Sequence, residues 1–276
     1  MAAPNDKNAS MNAEPVTTTP VLLDIADRVA TITLNRPEAR NAMSSEVLRL
    51  LPALVTKADG DPEVDVIILT GADPAFCAGV DLKELASTGG NLGGGGGSDS
   101  GTNAHGARGP FPRVGKPLLG AINGVAVTGG LELALNCDFL VASDRAKFGD
   151  THARVGVMPG WGMTVLLPQA IGVRRAREMS FTGNFIDAEE ALRLGLVNHV
   201  VPHDELLPFT RALAADIVGN EVDAVHQIRT TYAAIAHDDD AWEQEARDAR
   251  AWQRTMFRAD KVAERREAIQ RRGRSQ

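Results

Sequence analysis

Short apolar strands alternate with short helices between residues 64 and 201, and this alternation limits the fold more than any other feature of the chain. Val64–Leu69 (VDVIIL) is a buried strand, ended by Thr70-Gly71. Pro117–Val127 (PLLGAINGVAV) reads as one strand interrupted by glycine. Gly129-Gly130 opens a short apolar helix, Leu131–Cys137, and Phe139–Ala142 is a further strand. Asp187-Ala188-Glu189-Glu190 is a capping box, Gly195 closes its helix, and Leu196–Val201 is the last strand. The pattern predicts an α/β core. Ahead of it, Val21–Leu34 reads as a hairpin about Ala26-Asp27-Arg28, and residues 35–43 read as a loop. A helix is expected from Ser44 to about Asp59, with Pro52 predicting a bend or an early break.

These patterns divide the chain into a disordered tail at 1–20, an α/β core at 21–203 and a helical region at 204–276. Ten of the 27 glycines fall within Gly89–Gly109, so the glycine excess is one local insertion, bounded at 87–110. It reads as a mobile surface loop or a lid over a pocket, and it lacks the Gly-Lys-Ser/Thr of a phosphate-binding loop. The net charge of −7 argues against nucleic acid as a partner. No run of about 18 apolar residues exists to span a membrane. Residues 1–20 carry neither the basic nor the apolar part of a secretory leader, so a cytoplasmic protein is expected. Cys77 and Cys137 are too few for a zinc cluster or a disulfide framework, and a reduced compartment follows.

Thr128-Gly129-Gly130-Leu131-Glu132 is the stretch with most chemical content. Two glycines let the backbone approach a ligand, and a helix N-terminus there favours a negative oxygen. Glu132 in the first turn has two readings: dipole compensation at a surface, or a catalytic carboxylate facing whatever the Gly129 N–H binds. Ala75–Leu82 follows the Val64–Leu69 strand, at a strand end where α/β proteins place ligands.

Together these stretches resemble the enoyl-CoA hydratase/isomerase family, the crotonase superfamily. The matching segments are Asn35-Arg36-Pro37 with Asn41-Ala42, Phe76–Leu82, Ala121–Gly124, Gly129–Ala134, Cys137-Asp138, Phe148-Gly149 and Gly156–Gly160. They occur in order and in register over about residues 20–205. The resemblance implies a spiral of ββα repeats with a C-terminal helical region that supports a homotrimer or a dimer of trimers. It implies an acyl-CoA thioester as substrate, with coenzyme A part of that substrate and no separate cofactor or metal. It places the thioester oxygen between the amides of Val80 and Gly129, where an enolate-like oxyanion is stabilised. Ala39, Arg40, Ala42, Ala78, Gly79, Asp81 and Leu82 match the neighbourhood that holds coenzyme A.

Hydratases of this family use two glutamates. The first maps to Glu132, while the second position is occupied by His152. Three consequences stand open. His152 replaces the carboxylate as acid or base, with an ordinary pKa of about 6.5. Glu132 acts alone on another thioester reaction, such as hydrolysis, with His152 orienting substrate. Or hydratase chemistry is weak or lost, down to a chain that only binds acyl-CoA. Isomerases of the family rely on a glutamate at the second position, so ordinary isomerase activity is disfavoured. Asp150 could orient His152 if both lie on a regular strand. Trp161 is either core packing or the wall of a narrowed acyl pocket. His199 and His203 have no partners at metal-ligand spacing, and Arg174, Arg175 and Arg177 are a solvated face or a phosphate clamp. His105, His226 and His237 belong to no motif.

Overall fold

The computed structural model describes residues 19–88, 109–236 and 239–274. The tail and most of the glycine-rich insertion, with His105 and His237, lie outside the described residues. Chain entry is the expected hairpin of β1 (Val21–Ala26) and β2 (Val29–Leu34). Asp27 and Arg28 both hold positive φ, 51° and 63°, which matches a two-residue turn to the right-handed strand twist. Helix α1 (Ser45–Gly60) begins where the Ser44 hydroxyl accepts from Val47 N. Pro52 does not end it early. Pro52 is buried on the core-facing side with Leu51 and Val55, and that packing offsets one missing hydrogen bond.

Three successive ββα units follow: β3 (Val66–Gly71), β4 (Ala75–Cys77) and α2 (Leu82–Thr88); β5 (Leu118–Ile122), β6 (Val125–Val127) and α3 (Gly129–Leu135); β7 (Phe139–Ser143), β8 (Lys147–Gly149) and α4 (His152–Val155). The first strand of each unit joins a six-stranded sheet of order β1-β2-β3-β5-β7-β10, where β10 is His199–Val201. The second joins a four-stranded sheet of order β4-β6-β8-β9, where β9 is Ile186–Asp187. Pro117–Val127 is therefore two strands in two sheets rather than one. At the switch, a Cβ on Gly124 would stand 2.6 Å from the Pro74 carbonyl oxygen, so only glycine lets the chain cross there. The last strand is also shorter than expected: Leu196 and Val197 are buried in the core ahead of it.

Helices α5 (Met163–Ile171), α6 (Val173–Thr182) and α7 (Ala188–Leu194) complete the spiral. The Asp187 half of the capping box forms, with Asp187 accepting from Glu190 N at 2.9 Å and Gly195 in the left-handed conformation, while the Glu190 carboxylate turns to Arg193 instead of back to the Asp187 amide. Beyond β10 come α8 (Leu206–Val218), α9 (Val222–Ala236), α10 (Asp239–Thr255) and α11 (Ala259–Arg274).

The parallel strands of the large sheet are buried on both faces. Ile67, Leu69, Leu118 and Ile122 join the main core with α1 and α3. Val66, Ile68, Leu119 and Ala121 face α8 through Leu206 and Ala214. Strands β4, β6 and β8 run parallel, so α2, α3 and α4 all start beyond the same edge of the small sheet. That edge is where the candidate residues meet. Among the described residues, no helix is long and apolar enough to cross a membrane.

Candidate active site

Val80 lies between β4 and α2, Gly129 and Glu132 on α3, and His152 at the start of α4, and all four line one cavity of about 80 Å³. Each successive ββα unit therefore contributes to one place. Val80 is held by a short bridge to Met43, in which Met43 N donates to Gly79 O at 2.8 Å and Asp81 N donates to Met43 O at 3.0 Å. Gly79, at φ +83°, makes the turn that brings Val80 there and, among the described residues, lines neither this cavity nor the larger one beside it. Among the described residues, the amides of Val80 and Gly129 donate to no protein acceptor. Gly129 is the first residue of α3, so its N–H is one of the free donors of a helix start.

Contact with backbone requires glycine at 130, whereas at 129 an added atom would meet the movable end of a methionine. A Cβ on Gly129 would lie 2.4 Å from Met43 Cε, and a Cβ on Gly130 2.1 Å from the Cys77 carbonyl oxygen. Thr128 directs the Gly129 amide from an unusual backbone position, φ 56° and ψ −124°. Its hydroxyl bonds Thr151, and its amide donates to Gly149 O at 3.0 Å.

Glu132 is 2% exposed, which removes the surface-dipole reading. Its Oε1 accepts from Trp161 N at 2.8 Å and Gly160 N at 3.2 Å, and its Oε2 lies 3.4 Å from His152 Nε2. His152 sits at the N-terminus of a short helix, not in a strand. The turn into that helix brings Asp150 Oδ1 to 2.6 Å from His152 Nδ1, and the same oxygen accepts from His152 N at 3.1 Å. Burial alone would push the imidazole down, but the Glu132 charge and the Asp150 hydrogen bond raise it to about 10. The ordinary value taken for His152 from the sequence is thus corrected. Burial also disfavours the charged form of Asp150, yet its bond to His152 lowers its pKa overall. The arrangement is a protonated imidazole between two carboxylates.

The rest of the small cavity is mostly apolar, formed by Val157, Met158, Trp161, Trp252 and Phe257. Trp161 is at the wall of the site, and Trp252 Nε1 anchors α10 to Gly156 O at 3.0 Å. A second cavity of about 600 Å³ shares Val80 with the first. Ala39, Arg40, Ala42, Ala78, Asp81 and Leu82 line it, as do Arg36, Lys83, Arg154, Arg266 and Arg274. Asp81 is engaged by Arg36 at 3.0 Å and accepts from Lys83 N at the start of α2. The remaining candidates lie elsewhere. His203 joins Ser143 and Asp73, His199 packs on Phe209, and Arg175 pairs with Glu178 on its own helix.

The sequence of the enoyl-CoA hydratase/isomerase family model matches residues 24–272. The chain belongs to this family. Within it, the chain is 42% identical to a probable enoyl-CoA hydratase of Mycobacterium tuberculosis over 198 residues, 71% of this chain and 74% of the relative. It is 36% identical to a short-chain-enoyl-CoA hydratase of Clostridium acetobutylicum over 206 residues, 74% of this chain and 77% of the relative. A crystal structure of an enoyl-CoA hydratase from Mycobacterium smegmatis superposes with a TM-score of 0.77 at 48% identity, covering 87% of this chain and all of that one. A monofunctional enoyl-CoA isomerase of M. smegmatis is more distant, at TM-score 0.65 and 33% identity, covering 82% of this chain and 99% of that one. This member of the enoyl-CoA hydratase/isomerase family keeps Gly129 and Glu132 where the motifs put them. The wall residues Trp252 and Phe257 come from the helical region, where no motif marked them.

Proposed function

We propose that the chain is an enoyl-CoA hydratase, adding water across the 2,3 double bond of an enoyl-CoA thioester. One observation carries this reading: a buried Glu132–His152 pair beside two free amides in one cavity. The amides of Val80 and Gly129 receive the thioester oxygen and hold the negative charge that develops on it. One such donor is worth about 10²–10³ in rate. Glu132 takes a proton from water as its oxygen bonds to the β-carbon. The electron pair of the double bond moves into the thioester as an enolate. His152, as imidazolium, gives its Nε2 proton to the α-carbon, and the enolate collapses to the 3-hydroxyacyl thioester. The proton on Glu132 then crosses to His152, restoring the starting state. One water is consumed and nothing is oxidised or reduced, so the residues and the substrate supply every group that the addition uses.

Coenzyme A occupies the larger cavity in this reading. Arg36, Arg40, Lys83, Arg154, Arg266 and Arg274 surround it with positive charge suited to phosphate groups. The core at 21–203 carries the chemistry, and the helical region at 204–276 closes the cavity and mediates a homotrimer or a dimer of trimers. Exposed Ile228 and Tyr232 on α9 support that subunit role. Free Cys77 and Cys137 suit a cytoplasmic setting.

The test is turnover of crotonyl-CoA and longer 2-enoyl-CoA thioesters, with products identified by mass. Wild type yields the product heavier by one water, and Glu132→Gln loses at least about 10²-fold in kcat. Unchanged turnover in Glu132→Gln removes the mechanism. Saturable thioester binding without any product would instead identify an acyl-CoA-binding protein. Release of free coenzyme A would identify a thioester hydrolase.

A further inference from the structure

Helix α10 reaches the site through one buried carboxylate. Glu245 is 5% exposed and accepts from Gly162 N at 2.6 Å, from Thr164 N at 2.7 Å and from the Thr164 hydroxyl. The two residues just before Gly162 serve a different carboxylate, since Gly160 N and Trp161 N donate to Glu132. One short segment, 160–164, thus presents neighbouring amides to two acids on two different helices.

The segment is also clamped sterically. Gly162 holds φ +99°, and a Cβ there would lie 2.3 Å from Trp242 Cη2. Trp242 is one turn before Glu245 on α10, so ring and carboxylate grip the same turn of chain. A buried carboxylate is costly unless hydrogen-bonded, and these three donors at the start of α5 are what stabilise it. Burial and the nearby Glu132 charge raise the Glu245 carboxyl above the usual range.

We propose that Glu245 is a positioning residue for Glu132: it fixes the 160–164 segment so that the Gly160 and Trp161 amides hold the Glu132 carboxylate against His152. Glu132 Oε1 has these two amides as its partners, so its orientation is set by where the segment lies. Without Glu245, Gly162 N and Thr164 N lose their acceptors and the segment loses its tie to α10. Glu132 would then lose its fixed direction. The helical region, on this view, takes part in catalysis as well as enclosing the cavity. The consequence for turnover rests on the hydratase reading, whereas the consequence for the segment does not.

Glu245→Gln is therefore examined by two measurements. In steady-state hydration of crotonyl-CoA, kcat falls about tenfold or more while KM stays within about threefold, because thioester binding is untouched. In ligand-free protein, hydrogen exchange at the Gly160 and Trp161 amides speeds up about tenfold or more. Glu245→Asp restores part of both. Thr164→Val removes one of the three donors and changes both in the same direction by a smaller factor, which keeps the test open should Glu245→Gln not fold. Exchange at Gly160 and Trp161 as slow in the variants as in wild type overturns the proposal, whatever turnover does. A fall in kcat/KM carried by KM alone overturns it too. Should wild type hydrate nothing while Glu245→Gln still speeds exchange, the positioning role stands and the hydratase reading falls.

Discussion

His152 Nε2 stands 3.4 Å from Glu132 Oε2 while His152 Nδ1 stands 2.6 Å from Asp150 Oδ1. The imidazole is held between two acids, and its protonated form is favoured up to about pH 10. In the proposed hydration, a histidine there would do the work of a carboxylic acid by a different route. A second glutamate must be kept neutral to donate a proton, whereas His152 is kept charged.

The pH–rate profile follows from that relationship. Hydration continues through neutrality and is lost as pH rises through about 10, where His152 gives up its proton. His152→Ala loses about 10²–10⁴ in kcat and the alkaline limb with it. Asp150→Asn removes one of the groups that raise the imidazole, so the limb moves towards neutrality. A wild-type limb near pH 6.5 that stays put in Asp150→Asn would contradict the arrangement.

Stability carries the same signature with a defined sign. The folded pKa of His152, about 10, lies above its ordinary 6.5, so the folded state binds the proton more tightly. The resulting stabilisation is complete below about pH 6.5 and is lost as pH rises through about 10. Thermal unfolding midpoints of wild type are expected to fall across that range. Replacing His152 by Gln is expected to flatten this part of the curve, and a persisting decline would point to other groups.

Gly130→Ala tests how closely α3 must approach β4. The added methyl would meet the Cys77 carbonyl oxygen, a backbone atom that cannot rotate away. The helix shifts, at a cost of about 1–3 kcal/mol in denaturant unfolding. The adjoining Gly129 amide moves with it, and kcat/KM for crotonyl-CoA drops at least about tenfold. Wild-type stability in this variant would show that the contact is absent.

Trp161→Ala separates the wall from the chemistry. The Trp161 amide still reaches Glu132, but the ring no longer closes the acyl side of the cavity. The preference for an eight-carbon over a four-carbon enoyl thioester is expected to rise about tenfold or more, the scale of a methylene or two in a fitted pocket. An unchanged ratio of kcat/KM values would place the size limit elsewhere.

Much of the fold is legible in local sequence, because hairpin, capping box and glycine pair each act within a few residues. The Asp187 cap and the Gly129-Gly130 helix start lie where the pattern puts them. The division of Pro117–Val127 between two sheets is not legible, since it depends on Gly124 meeting Pro74 from a distant loop. The same holds at the site. Gly129, Glu132 and His152 come from motifs, but the charge of His152 depends on how the turn at Thr151 folds Asp150 back onto it. Glu245 bears no motif at all: only the packing of α10 on α5 brings it to Gly162 and Thr164. Pro52 misleads for a related reason, as core burial outweighs the local preference.

The backbone at Thr128 has one more implication. A side chain branched at Cβ rarely occupies that region of conformational space, so the chain is bent against its own inclination just ahead of Gly129. It is held there by the bond from its amide to Gly149 O and by the Thr151 hydroxyl, which belongs to the next ββα unit and directly precedes His152. The Gly129 amide and the His152 imidazole thus each adjoin one of a pair of touching threonines, so that, in the proposed hydration, a disturbance to either threonine would reach both the oxygen's donor and the acid.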